Sequence, residues 1–201
     1  KIKSRSFIYV LIFFLKYLLK SVTILLMCAI FGSNNIHTFR DLYEQNLVRG
    51  DFAFGGIYLS TDSRPNIIKN KGKVAVVGAS NPFSAFYSGH TQAPTSSAQT
   101  YNTETSHPFI FKNWAVSHNG VLTNHKQLRA KYKIESNNST LVDSSIIPIL
   151  ISTFITTENL SEVDAISKTL SLLEGTHSTA ICNLDSNNLY IARCGSTLYK
   201  D

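Results

Sequence analysis

Short apolar runs, separated by glycine, proline or polar turns, dominate the chain from residue 28 onward, and runs of this length predict strands. Four of them are "CAIFGS" at 28–33, "FAFGGIYLS" at 52–60, "KVAVVGA" at 73–79 and "SAFYSGH" at 84–90. Two more, "STAICNL" and "LYIARC", flank the polar turn "DSNN", so we expect a hairpin there.

Helical spacing appears in four other segments. Phe39, Leu42, Tyr43 and Leu47 recur one turn apart after a Thr-x-x-Asp start, and Gly50 can end that helix. The segments "NHKQLRAKY", "DSSIIPILISTFI" and "SEVDAISKTLSLLEG" predict three further helices, the last one with Val163 on its apolar face. Because the helices lie between groups of strands and the strands include hairpins, the sequence predicts an α+β fold.

The segment "NWAVSHNGVLTNH" at 113–125 leaves two interpretations open. Asn119-Gly120 between two apolar runs is a strong signal for a tight hairpin turn, yet the same dipeptide can supply polar groups to a site. Two segments predict loops instead: the polar "STDSRPNIIKNKGK" at 60–73 and the Ser/Thr-rich 91–108.

Residues 1–26 differ from the rest of the chain in charge and pattern. They hold five basic residues and no acid, so they carry +5 of the net charge of +6 and leave the remainder near neutral. We therefore expect no nucleic-acid partner.

The apolar run "FIYVLIFFL" is interrupted by lysines too soon for a membrane span of about 20 residues. A membrane anchor and a secretory signal remain alternatives, but we expect a leader outside the mature protein and no membrane partner.

Met27 is the only methionine and precedes Cys28, so translation that starts there would give a mature chain beginning with cysteine. Such a residue has unusual chemistry. A thiol with its ordinary pKa of ~8.5 needs a base to become a nucleophile, and a free α-amine, with a pKa of ~8, lies beside the sulfur.

The three cysteines fit no zinc-ligand spacing, and we expect Cys182 and Cys194 to be buried free thiols in a reducing, cytoplasmic setting. We predict no metal and no cofactor.

Eight stretches, in order, resemble the class II glutamine amidotransferase domain, an N-terminal nucleophile hydrolase. They are "MCAIFG", "LVRGDFAFGG", "GHTQAPT", "HPF", "SHNGVLTNHKQLR", "VDSSII", "LLEGTHSTAI" and "LYIARCGSTLY". The resemblance covers residues 27–201 and is closest to the glutaminase domains of glutamine-fructose-6-phosphate aminotransferase and amidophosphoribosyltransferase. It implies a four-layer αββα sandwich and hydrolysis of the side-chain amide of L-glutamine, with the ammonia passed to an acceptor.

The resemblance also implies a role for each motif residue. Cys28 would be the nucleophile, and Asn119 with the backbone N–H of Gly120 would form the oxyanion hole. Asp143 would pair with the α-ammonium of glutamine, and Arg49 would brace the site near Cys28. The loop that closes on glutamine would be lined by His90, Thr91 and Thr95.

Gln92 departs from the family pattern, which usually has arginine after "GHT" to grip the α-carboxylate of glutamine. This departure leaves two alternatives to a glutaminase: a non-catalytic module that senses glutamine, or an amidohydrolase of the same fold that acts on another amide. The sequence also ends before the point at which family members continue, so the chain is either a fragment or a small protein whose ammonia-accepting synthase is a separate chain.

Overall fold

The computed structural model of this protein describes residues 28–75, 77, 84–93, 102–135 and 142–195. Its eight strands are β1 (Ala29–Ser33), β2 (Ala53–Leu59), β3 (Asn66–Lys71), β4 (Phe86–Gln92), β5 (Phe109–Phe111), β6 (Trp114–Leu122), β7 (Gly175–Asn183) and β8 (Leu189–Cys194). Its helices are α1 (Ile36–Asn46), α2 (His125–Lys131), α3 (Ile146–Glu158) and α4 (Glu162–Leu172), with a 3₁₀ turn at Asp143–Ser145.

The strands form two antiparallel sheets, each drawn from one continuous half of the described chain. Sheet A has the order β1-β4-β2-β3, and sheet B has the order β5-β6-β7-β8. All pairings within the two sheets are antiparallel, and β7–β8 is the hairpin that the sequence predicts.

Three hydrophobic clusters arrange these elements as four layers. An aromatic cluster that includes Phe39, Tyr43 and Tyr58 packs α1 against sheet A. A larger cluster, mostly aliphatic but including Trp114 and Phe154, packs α3 and α4 against sheet B on the other side of the molecule. Between the sheets lies a smaller cluster built on Ile57, Ala115 and Cys182. The α+β prediction is therefore confirmed, and the layer order is helix, sheet, sheet, helix.

Strand pairing outweighed two local signals: it excludes the turn interpretation that the sequence left open at Asn119-Gly120, and it overturns the loop predicted at 60–73. Asn119 and Gly120 do not form a turn: β6 runs straight through them and pairs with β7 over its full length. The segment predicted as a polar loop contains β3, which its antiparallel pairing with β2 holds in place. Of the predicted strand at 73–79, residues 73–75 are not in a strand, and most of the rest lies outside the described residues.

Helix ends and exposure also differ in places from the sequence-based prediction. The cap of α1 is Asn35, whose side-chain oxygen accepts from the backbone N–H of His37 at 2.8 Å, rather than Thr38. Val163 lies on the solvent side of α4 and is 61% exposed. Cys182 is buried as expected, but Cys194 is exposed because it ends an edge strand.

The predicted leader, residues 1–26, lies outside the described residues. Within the part of the chain that the structure describes, no helix is long and apolar enough to cross a membrane.

Candidate active site

Cys28 directly precedes β1 and lies at one end of the space between the two sheets. The side chains of Ala29 and Phe31 belong to the aromatic cluster under α1. Because side chains alternate along a strand, those of Cys28 and Ile30 are directed to the opposite face, toward sheet B. The thiol is half-buried.

Burial raises the pKa of the Cys28 thiol above its ordinary value. A hydrogen bond from the backbone N–H of Ala93 and the positive charge of Arg49 act in the other direction, and the negative charge of Asp143 adds to the rise. Arg49 and Asp143 are therefore close enough to Cys28 for their charges to act on its sulfur. A thiol in this setting is mostly protonated at neutral pH and needs a base to act as a nucleophile.

Arg49 holds the backbone at Cys28. Its Nη2 and Nε atoms donate to the carbonyl oxygen of Cys28 at 3.2 and 3.4 Å. Gly50 lets the backbone after α1 approach the backbone after β4 closely. A Cβ on Gly50 would lie only 2.4 Å from the backbone nitrogen of Ala93. The Arg49-Gly50 pair thus packs against the chain just after β4 and braces the start of β1.

Asn119 faces the same inter-sheet space from sheet B. Trp114 and Val116 of β6 pack toward the helices, whereas Ala115 lies between the sheets, so alternation directs the half-buried Asn119 toward sheet A. Strand β1 contacts β6 across this space. Gly120 follows with a φ of +147°, and a Cβ there would lie 1.9 Å from the carbonyl oxygen of Thr176. Only glycine fits this backbone position.

Asp143 begins the 3₁₀ turn beside the end of β6. Its Oδ2 accepts from the backbone N–H of Leu122 at 2.7 Å, and its Oδ1 accepts from the backbone N–H of Ser144 at 2.7 Å. These two bonds fix the carboxylate next to the strand that carries Asn119 and Gly120. The residue is half-buried, so one side of the carboxylate is open to solvent or to a ligand.

His118 is a site residue that the sequence motifs did not single out. Its Nδ1 lies 2.7 Å from the Ser144 hydroxyl, which in turn donates to Asp143 Oδ1 at 3.1 Å. Its backbone carbonyl lies 3.1 Å from Nε2 of His90 in the other sheet. In the sequence, only the position of His118 next to Asn119 could have indicated a role. Its contacts with Ser144 and His90 join segments that are far apart in the chain, so no local pattern predicts them.

His90 and Gln92 lie in β4 rather than in a loop, and both are buried. They alternate with Thr91, whose hydroxyl donates to the Asn46 carbonyl on the α1 side, so His90 and Gln92 face sheet B. The Oε1 atom of Gln92 is buried without a hydrogen-bond partner in the described structure. Thr95 lies outside the described residues.

The structure thus brings Cys28, Arg49, Asn119 and Asp143 to one end of the inter-sheet space, with His90 and Gln92 on its wall. Among the described residues, no group of three or more His, Cys, Asp or Glu side chains is placed to hold a metal ion.

The chain is similar in sequence to several glutamine–fructose-6-phosphate aminotransferases (isomerizing). It is 26% identical to that of Streptococcus agalactiae over 179 residues and 26% identical to that of Staphylococcus epidermidis over 180 residues. Each match covers 86% of this chain and 30% of the relative, so the chain spans about a third of the length of these relatives. No model of a known protein family matches the chain.

Two solved structures have a similar fold. The glutamine phosphoribosylpyrophosphate amidotransferase of B. subtilis, complexed with ADP and GMP, aligns with a TM-score of 0.58 at 19% identity, covering 83% of this chain and 36% of the other. A structure described as the allosteric regulatory enzyme of purine biosynthesis aligns with a TM-score of 0.57 at 20% identity, covering 77% and 34%. The similarity in sequence and the shared fold agree with the resemblance to the class II glutamine amidotransferase domain, whose expected fold is that of the N-terminal nucleophile hydrolases.

Proposed function

We propose that this domain hydrolyses the side-chain amide of L-glutamine, with Cys28 as the nucleophile, and releases ammonia for an acceptor. The observation that carries the proposal is the convergence on Cys28 of a bracing arginine, a carboxylate and the strand that bears Asn119-Gly120. In relatives named as glutamine-dependent enzymes, the matching segment is about a third of the chain. The proposal assigns the same first step to this domain.

The base in this mechanism is the α-amine of Cys28 itself, and it requires that the mature chain begin at Cys28 after Met27 is removed. The amine takes the thiol proton, and the thiolate attacks the amide carbon of glutamine. The carbon–nitrogen bond then breaks as the same amine returns its proton to the departing ammonia. Water completes the cycle by hydrolysing the thioester to glutamate. Because burial raises the pKa of this thiol, the reaction depends on that nearby base.

Asn119 and Gly120 would stabilise the oxygen that becomes negative in each tetrahedral intermediate. The donors are the side-chain amide of Asn119 and the backbone N–H of Gly120. Loss of one such donor commonly costs ~3 kcal/mol of transition-state stabilisation. Asp143, held by the backbone N–H groups of Leu122 and Ser144, would pair with the α-ammonium of glutamine.

The proposal extends to residues 27–201 as one domain that works in the cytoplasm. Its ammonia would pass to a synthase on another protein or on a further domain. The names of the relatives include an aminotransferase and an amidotransferase, both of which transfer nitrogen to a second substrate.

Gln92 favours a second candidate, an amidohydrolase that acts on a different amide. It is neutral and 6% exposed, and its Oε1 acceptor has no partner among the described residues. An unpaired acceptor suits a substrate that presents an N–H group there, whereas a carboxylate would meet no charge from this side chain. The two candidates share the nucleophile and differ in the substrate.

The test is ammonia release by purified protein whose N-terminal residue has been established by intact mass. We expect release from glutamine in protein that begins with Cys28, none in Cys28→Ala, and wild-type release in the control Cys194→Ala, which removes an exposed thiol on the edge strand β8, two strands away from Gly120. Undiminished release in Cys28→Ala would reject the nucleophile. Full activity in protein that still carries Met27 would reject the amine as base, and faster release from other amides would favour the second candidate.

A further inference from the structure

A buried hydrogen bond links the two sheets beside the candidate active site. Nε2 of His90, in β4, lies 3.1 Å from the carbonyl oxygen of His118, in β6, and the His90 side chain is completely buried. A carbonyl oxygen can only accept, so Nε2 must carry the hydrogen. The contact therefore fixes both the tautomer of His90 and the direction of its ring.

Burial keeps this donor neutral. It lowers the pKa of His90 to about 3, and the nearby His118 adds to the lowering by its charge. The pKa values of His107 and His118 are also lowered, chiefly by burial. The His90 ring is therefore neutral at neutral pH, and its contact with the His118 carbonyl is a bond donated by an uncharged N–H.

His107 holds the ring of His90 in place. The two rings lie against each other with centroids 4.0 Å apart and planes tilted by 34°, and Phe109 meets His107 edge-on at 4.8 Å. The backbone of His107 is itself fixed against sheet A, because its carbonyl oxygen would lie only 2.2 Å from a Cβ on Gly55. The donor is therefore held rigidly from behind.

The bond connects the two halves of the candidate site. His90 pairs with Ile30, two residues from Cys28. The acceptor carbonyl belongs to the peptide group that joins His118 to Asn119, so its direction also sets the start of Asn119. Strand β5 pairs with β6 only as far as Val116, which leaves the following backbone open to a partner from the other sheet.

We propose that His90 is a positioning residue of the oxyanion hole: its bond to the His118 carbonyl sets the distance between the Asn119-Gly120 segment and Cys28. This inference rests on the proposed function. It assigns His90 a role through Asn119, in place of the contact with glutamine expected from the motif. A shift of about 1 Å between reacting groups can cost about 100-fold in rate, so one buried bond is enough to matter.

Two substitutions separate the donor from the ring. His90→Phe keeps a ring that can contact His107 but removes the donor, whereas His90→Gln places an amide N–H near the former Nε2. We expect kcat for ammonia release to fall about 100-fold in His90→Phe, with little change in KM, and to recover at least partly in His90→Gln. Ser88→Ala, a buried polar change on the same face of β4, is the matched control and should keep wild-type kcat.

Alkylation of Cys28 by iodoacetamide gives an independent measurement, because it needs the thiol but not glutamine. We expect its rate to be unchanged in His90→Phe, which would separate a displaced oxyanion hole from a damaged nucleophile. The inference is overturned if His90→Phe keeps wild-type kcat, if KM alone changes, or if kcat and the alkylation rate fall together.

A measurement on the unmodified protein covers the case in which a variant does not fold. The ¹⁵N spectrum of His90 should show a neutral ring with hydrogen on Nε2 at pH 7. A ring with hydrogen on Nδ1, or a charged ring, would overturn the inference. If wild-type protein that begins with Cys28 releases no ammonia from glutamine, the proposed function fails instead, whatever the spectrum shows.

Discussion

Replacing Gly55 by alanine should force the two sheets apart where the candidate site depends on their spacing. Gly55 lies in β2 on the face toward sheet B, because its neighbour Phe54 packs under α1. A Cβ there would lie 2.2 Å from the carbonyl oxygen of His107, 2.7 Å from its carbonyl carbon and 3.1 Å from Cδ of Pro108. The nearest atoms belong to the backbone, so no side chain can simply turn aside.

The size of the effect follows from this distance. Ordinary carbon–oxygen contacts begin at ~3.3 Å, so the backbone at His107 must retreat by about 1 Å. Overpacking of this kind commonly costs 1–3 kcal/mol in the free energy of unfolding, roughly. For a domain of this size, a loss of about 2 kcal/mol lowers the melting temperature by about 4–8 °C. Because the His107 ring lies against that of His90, the displacement should also lower the rate of ammonia release, by up to about 100-fold.

Thermal unfolding followed by circular dichroism, together with the ammonia assay, would measure both effects. The control is Gly56→Ala in the same strand, where the three atoms nearest to a Cβ all belong to the side chain of Tyr58, the first at 2.9 Å, on the α1 side. We expect this control to lose less stability than Gly55→Ala and to retain its activity. If Gly55→Ala melts at the wild-type temperature with an unchanged rate, the sheets are not in the tight contact described.

Two further predictions concern charge. Arg49→Leu removes both hydrogen bonds to the Cys28 carbonyl, so the rate of ammonia release should fall about tenfold or more, with Arg49→Lys intermediate because one donor can remain; equal rates for the two variants would argue against the brace. Acid should destabilise the fold. The pKa of His90, about 3 in the folded chain, lies below its ordinary value of ~6.5. Between these two pH values the unfolded chain binds a proton that the folded chain excludes, and this favours unfolding. The free energy of unfolding is unaffected by His90 above pH ~6.5 and falls as the pH is lowered, by about 2 kcal/mol at pH 5 from His90 alone. The urea concentration at the midpoint of unfolding should therefore drop between pH 7 and pH 5. A constant midpoint would contradict the burial of His90.

Hydrophobic periodicity predicted most of the elements, and it failed where tertiary pairing decided the outcome. The signals of α4 are local, since Ser161 caps the helix through the N–H of Asp164 and Ile166 is buried as the pattern indicates. Asn119-Gly120 has equally strong local turn chemistry, but nine residues of pairing with β7 keep β6 extended. No local pattern marks β3, which has only Ile67 and Ile68 as apolar residues and depends on β2 for its pairing.

The candidate site shows the same division. Cys28, Arg49, Asn119 and Asp143 could be proposed from motifs, because each lies in a short stretch whose residue types suggest its chemistry. The contacts of His118 could not be, since they join β6 to β4 on one side and to the turn at Ser144 on the other. Which histidine faces which sheet depends on strand register, and a shift of one residue would reverse every assignment.

The division of the fold into two sheets, each drawn from one continuous half of the described chain, has a consequence for newly made protein. During synthesis the segment that carries Cys28 leaves the ribosome well before the segment that carries Asn119, and a domain generally folds as one unit. Until the second sheet docks, the thiol has no partner groups across from it. The nascent polypeptide therefore carries Cys28 before the groups of sheet B that would face it, and the proposed activity requires both sheets.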